Sequence, residues 1–227
     1  VQAIEGQLGP VDVEASAPGF DPIDGTVEIE QTAVEILALA TSFAVGDPID
    51  PFYARIGLPN TSGSALSVIQ ERRPGIAPLA VTLESTDADV GEIVTTAGSG
   101  AVQTVFIGPG SSRSPLSVAD GGSGLRPVGA GTTIITAGGS GLFVTGSAQR
   151  EITVSNAGIV LRGVPFFLGE RLQTSPLTAR LEDSSHGGVT LRIESSDSTR
   201  VLVAPDVTTP GSAAIEIPLP NGTATAQ

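Results

Sequence analysis

Cysteine, methionine, tryptophan and lysine are absent from the 227 residues, and there is a single histidine. Without cysteine there is neither a disulfide nor a thiolate metal ligand, so stability must come from packing and sheet hydrogen bonds. All 11 basic residues are arginine. That excludes lysine Schiff bases, a phosphate-loop lysine and a Lys–Asn cross-link. Aromatic residues make up 4% of the chain, too few for a sugar-stacking platform. Positive charge is scarce as well: 24 acidic residues against 11 basic leave a net charge of −13. Such a surface cannot neutralise nucleic-acid phosphates and is repelled by anionic lipid. No apolar run is long enough to span a bilayer, and there is no signal peptide. Position 1 is Val rather than Met, which reads as a processed product or an excerpt of a longer chain. These features fit a mature secreted chain, and the expected location is extracellular or on the cell surface.

What is abundant is glycine (29), proline (17) and the aliphatic residues, within a hydrophobic fraction of 40%. That mix favours many short strands joined by tight turns, with enough apolar material for a core. The expected class is all-β. The first clear strand stands near the start: Val11, Val13 and Ala15 alternate with polar residues, Ala17-Pro18-Gly19 breaks the run, and Val27 and Ile29 resume it. A lone hairpin cannot bury its apolar face.

Internal repetition supplies its expected partners. Val81–Asp87 matches Leu191–Asp197 at a spacing of 110 (191 − 81). Ala101–Ile107, followed by Pro109-Gly110, matches Ala213–Leu219, followed by Pro220-Asn221-Gly222. Pro51–Ile56 matches Pro176–Leu181. The first copy continues through Thr132–Ala137 and Arg150–Val154, whereas the second stops at Gln227. Its missing strands resemble Pro10–Ala15, Ala17–Phe20 and Thr26–Glu30. The expected organisation is therefore one whole domain over 33–156 and a second split between 157–227 and 1–32. The seam can be measured: Val118 lies eight positions after Gly110 (118 − 110), and Gln227 five after Gly222 (227 − 222). A directly joined Val1 would be sixth, about two residues short. Residues 1–32 either follow 157–227 in a covalent tandem array or are donated to it by a neighbouring molecule. Links as short as Gln31–Ala33 and Ser155–Ala157 would propagate a stiff rod, and the negative surface would keep it soluble.

Two insertions distinguish the first copy. Within 60–78, Ser64 fits the N-cap of a short helix carrying Leu66, Val68 and Ile69. Residues 111–131 are rich in Gly and Ser and read as loop. The phrases VTLESTDADVGEI (81–93), IESSDSTRVLV (193–203), VEASAPGFDPIDGTVEI (13–29) and Pro220-Asn221-Gly222 resemble bacterial immunoglobulin-like tandem repeats. SSHGGVTLRIESSD (184–197) and TTPGSAAIEIPLPNG (208–222) look like those of large adhesin-type surface proteins in particular. The resemblance covers nearly the whole chain and implies an antiparallel two-sheet sandwich per copy, although the Cys…Trp…Cys core of antibody domains is missing. It implies little about function.

Chemistry-bearing residues are few. His186 sits in a short turn, and no nucleophile elbow occurs, so no catalytic triad and no enzyme activity are expected. Acidic pairs recur at Asp21/Asp24, Asp47/Asp50 and Asp87/Asp89, and calcium is the cation such oxygens would take at domain junctions. The competing reading is turn formation, since Asp beside Pro or Gly is ordinary turn chemistry; no other cofactor is implied. The runs Gly121–Gly124 and Gly138–Gly141 lack the lysine and helix of a phosphate loop. Leu58–Thr61 is followed by Ser62, not the Gly of a sorting signal. Asn60 and Asn221 fit the N-glycosylation rule. Phe166 and Phe167 cannot both face inward in a regular strand, which leaves one for a domain junction.

The expected role is a structural module of a filament, stalk or giant adhesin, partnered by adjacent copies of itself. The assembly interface would comprise Val1, Val11, Val13, Val27 and Ile29 from one unit, with Leu191, Ile193, Ile215 and Ile217 from the next. The alternatives are a carbohydrate- or protein-binding module using loops 60–78 and 111–131, and an accessory segment of a secreted enzyme.

Overall fold

The computed structural model describes residues 1–4, 6–174, 177–182, 184 and 186–226. The protein is all-β and divides into two compact units, Val1–Ser155 and Asn156–Gln227.

The first unit begins with the hairpin β1 (Gly9–Ala15) and β2 (Ile23–Ile29), paired antiparallel from Gly9↔Ile29 to Ala15↔Ile23. Neither strand pairs with any other described strand. Twelve further strands form a two-sheet sandwich: β3 (Ala33–Leu37), β4 (Ser42–Ala44), β5 (Asp50–Pro59), β6 (Leu66–Ile69), β7 (Leu79–Ser85), β8 (Gly91–Thr95), β9 (Gly98–Gly100), β10 (Val102–Ile107), β11 (Ser123–Pro127), β12 (Gly131–Gly138), β13 (Phe143–Val144) and β14 (Gln149–Ser155). One sheet runs β13-β3-β5-β11-β8-β9, with β6 also on β5, and the other runs β10-β7-β12-β14-β4. Their inward residues meet in one core. Ile36, Phe52, Ile93 and Leu125 come from the first sheet; Leu83, Val105, Ile135 and Ile152 come from the second. The period-two alternation explains this: in β12, Thr133, Ile135 and Ala137 are buried while Thr132 and Ile134 face solvent.

Two sequence expectations are corrected here. Residues 64–73 hold no helix, because Leu66–Ile69 is strand β6, paired with Gly57–Pro59. Gly57 makes this possible: a Cβ there would lie 2.0 Å from the Val68 carbonyl oxygen, so the close approach requires glycine. Nor is 111–131 only loop, since Ser123–Pro127 is β11, paired with β5 and β8 and fully burying Leu125. Its small residues are what the site demands, because a Cβ on Gly124 would lie 2.4 Å from Ile49.

One buried carboxylate fixes the sandwich edge. Glu35 on β3 accepts from Nε and an Nη of Arg55, and its second oxygen accepts from Ser147 Oγ at 3.1 Å. Pairing and hydrogen bonding are what allow this charge to be buried.

The second unit is smaller. Strands β15 (Ile159–Arg162), β16 (Thr178–Leu181) and β19 (Thr225–Ala226) form one sheet, and β17 (Val189–Glu194) with β18 (Ala214–Leu219) form the other. Between them lie Ala179, Leu191, Leu219 and Ala226, backed by Leu181, Ile193 and Ile217.

Candidate assembly surface

The second unit repeats the pairings of the first with strands left out. Ile159↔Leu181 and Leu161↔Ala179 reproduce Val34↔Ile56 and Ile36↔Ala54, each residue displaced by 125 (159 − 34, 181 − 56). Leu191↔Ile217 reproduces Val81↔Val105, displaced by 110 and 112. The turns agree too. Val90 N and Gly91 N both donate to Asp87 O, just as Arg200 N and Val201 N donate to Asp197 O. Arg55 bridges Arg113 as Arg180 pairs Thr225, again displaced by 125 and 112.

The difference lies in what β7 has and β17 lacks. β7 is flanked by β10 and β12, whereas among the described strands β17 is flanked by β18 alone. One edge of β17 therefore presents unpaired backbone groups. The hairpin β1–β2 has the register of β12–β14: Gly131↔Val154 and Ile135↔Arg150 become Gly9↔Ile29 and Val13↔Gly25. Gly9 and Gly131 also share a positive φ, 106° and 157°. On this alignment Val11, Val13 and Ala15 stand for Thr133, Ile135 and Ala137, and Val27 and Ile29 stand for Ile152 and Val154. All five counterparts are buried in the sandwich. In the hairpin Val11, Val13 and Val27 are exposed and Ile29 is half-buried; Val1 is 96% exposed. In the second unit the counterparts on β15 are also exposed: Ile159 is 61% and Leu161 46% exposed, against 0% for Val34 and Ile36. On β17 and β18, Leu191 is buried while Ile193, Ile215 and Ile217 are half-buried.

The carboxylates of Asp47, Asp50 and Asp87 accept from backbone amides. Asp47 Oδ2 accepts from Ala44 N at 2.7 Å, Asp50 Oδ2 from Ala40 N at 3.0 Å, and Asp87 Oδ1 from Asp89 N at 3.0 Å. Asp21 and Asp24 are exposed on the hairpin. Among the described residues no three His, Cys, Asp or Glu side chains are grouped to hold a metal. His186 closes its turn: Nε2 donates to Thr223 O at 2.9 Å, and Nδ1 accepts from Gly188 N at 3.2 Å. Phe166 and Phe167 stack edge to face, 4.8 Å apart, and both are exposed.

A turn that the sequence analysis passed over gathers four hydrogen bonds on one carboxylate. Asp206 accepts from the hydroxyls of Thr208 (2.6 Å) and Thr209 (2.7 Å) and from both backbone amides. The Thr208 hydroxyl above all, then that of Thr209, lowers the Asp206 carboxyl from 3.8 to about 2. A depressed carboxyl stabilises the fold above its unfolded value and loses that contribution as pH falls through about 2. A carbon-detected NMR titration is expected to give an Asp206 midpoint near 2, and Thr208→Ala is expected to raise it toward 3.8. A midpoint unchanged by that substitution would contradict the assignment.

The two excursions of the first unit are tied together at its surface. Arg72 N donates to Ser111 O (2.9 Å), Gly110 N donates to Arg72 O (2.7 Å), and the Arg113 guanidinium lies 5.7 Å over the Tyr53 ring. A cleft of about 860 Å³ within this unit is lined by Val1–Ile4, Ile56, Arg72, Arg73 and Leu142. No protein-family model matches the chain, and no curated protein matches it.

Proposed function

We propose that the chain is a structural module of an extracellular or cell-surface filament, stalk or large adhesin, built from bacterial immunoglobulin-like repeats. Copies join head to tail when the hairpin β1–β2 of one copy completes the 156–227 unit of the next. The observation that carries this reading is that, among the described strands, one edge of β17 is open and the hairpin β1–β2 has the register of β12–β14 without a further partner. Strand addition supplies main-chain hydrogen bonds for affinity and alternate side-chain sites for specificity. The acceptor would take β1 antiparallel on β17, with Val13 opposite Ser195 and Ala15 opposite Ile193, as Ile135 faces Ser85 and Ala137 faces Leu83. The contact is heterologous, the kind that propagates an array when successive rotations do not close into a ring. The same strand order serves whether the next copy is a separate chain or covalently continuous. An intact mass of the native material under denaturing conditions separates the two cases.

Sedimentation velocity of the purified chain tests the reading. A ladder of species at multiples of 22.7 kDa, growing with concentration, is expected; a monomer at every concentration would overturn it. A second reading, ligand binding by 60–78 and 111–131, draws support from the mutual anchoring of these excursions, which makes one preorganised surface. Replacing exposed side chains of these excursions, such as Glu71 and Leu116, by alanine would weaken ligand binding on that reading and leave the sandwich and its assembly intact.

A further inference from the structure

The segment after β15 has a counterpart that explains its exposed side chains. Carrying the displacement of 125 forward from β15 sets 163–172 against 38–47. The backbones agree where agreement is costly. Among the described residues the non-glycine positions with positive φ are Ala38 (63°) and Arg171 (65°), and each stands opposite a glycine of positive φ: Gly163 (78°) for Ala38 and Gly46 (89°) for Arg171. Leu172 N donates to Gly169 O at 3.1 Å, as Asp47 N donates to Ala44 O at 3.2 Å. Within 38–47 lies β4, whose pairing with β14 is parallel: Ser42, Phe43 and Ala44 stand opposite Thr153, Val154 and Ser155. Leu39 and Phe43 there pack on the core. Their counterparts Val164 and Leu168 are exposed, and no described strand pairs with 163–172.

The counterparts of Thr153, Val154 and Ser155 are Glu28, Ile29 and Glu30, at the end of β2. We propose that Phe167–Gly169 is the second jaw of the assembly site. It pairs parallel with Glu28–Glu30 of a second copy, Leu168 opposite Ile29, and Val164 and Leu168 close over the seated hairpin. This rests on the head-to-tail reading above and extends it from one contact strand to two. The hairpin is gripped on both edges in the order β18-β17-β1-β2-(167–169), the order that β10-β7-β12-β14-β4 already has. Phe167 takes the place of Ser42, on the outer face, so it can be replaced without touching the core.

The test is oxidative cross-linking in a chain with no native cysteine. Chains carrying Glu28→Cys are mixed with chains carrying Phe167→Cys, and mass spectrometry identifies the linked peptides. Facing strand residues fall within disulfide range, so the 28–167 link is expected to exceed several-fold the link formed with an off-register Leu172→Cys chain. Sedimentation of the same mixture is read alongside. Assembly without a preferred 28–167 link would overturn the second jaw and leave the head-to-tail reading standing. No assembly at all would remove both.

Discussion

A chain lacking residues 1–32 is expected to stay monomeric at concentrations where the full chain forms a ladder, and its 156–227 unit is expected to become protease-sensitive. The 33–155 sandwich should keep its fold, because β1 and β2 pair with none of its described strands, and the bonds lost are those of Phe143 N to Thr32 O and Gln31 Nε2 to Gly141 O. In the acceptor the loss is large. The five inward positions of the hairpin are Val11, Val13, Ala15, Val27 and Ile29, and burying a Val- or Ile-sized side chain contributes about 1.5–3 kcal/mol before ordering costs. A net gain of about 3 kcal/mol from these side chains shifts the open population by about a hundredfold, since every 1.4 kcal/mol is tenfold. Cleavage after Arg162, Arg171 and Arg180 reports it directly. Adding a synthetic 1–32 peptide in excess should restore protection; equal cleavage rates in the full and truncated chains would contradict the account.

The second large effect is expected in the core of the first unit. Phe52 is fully buried between the two sheets, among side chains such as Val34, Leu83 and Ile135. With no disulfide or thiolate site to compensate, Phe52→Ala should cost about 3–5 kcal/mol, the usual range for an aromatic-to-alanine cavity. For a domain stable by about 5–15 kcal/mol this is a large fraction, visible as a lowered urea midpoint at unchanged slope. Phe166→Ala is the control. That ring is 92% exposed, so its removal should shift the isolated chain by less than about 0.5 kcal/mol. A Phe52→Ala loss no larger than the control would mean that the core does not hold the sandwich.

How far these features can be read in the sequence depends on where the chain repeats its side chains. Val11, Val13 and Ala15 alternate plainly because strand periodicity is written in hydrophobicity. The phrases at 81–87 and 191–197 are legible because both edge the same turn, where Asp87 and Asp197 accept equivalent backbone bonds. Strand β11 was hidden because at Gly124 there is no room for a Cβ against Ile49 and Asp50, so the start of a core strand reads as a Gly-Ser loop. Strand β6 was hidden because glycine at position 57, on the neighbouring strand, is what seats it. The match of 163–172 to 38–47 is nearly invisible in residue identity. What repeats there is torsion, with glycine and non-glycine exchanged at both positive-φ positions. The aspartate pairs suggested a cation site, yet the carboxylates of Asp47 and Asp87 accept from backbone amides of their own turns and that of Asp50 from Ala40 N, ten residues back.

The most direct measurement of the central claim is the contact between β1 of one molecule and β17 of another. Chains carrying Val13→Cys, mixed with chains carrying Ser195→Cys and oxidised, should yield a predominant 13–195 disulfide between molecules, in the register that Ile135 and Ser85 occupy in the first unit. Absence of that link under conditions where the chain assembles would contradict hairpin donation as the means by which copies join.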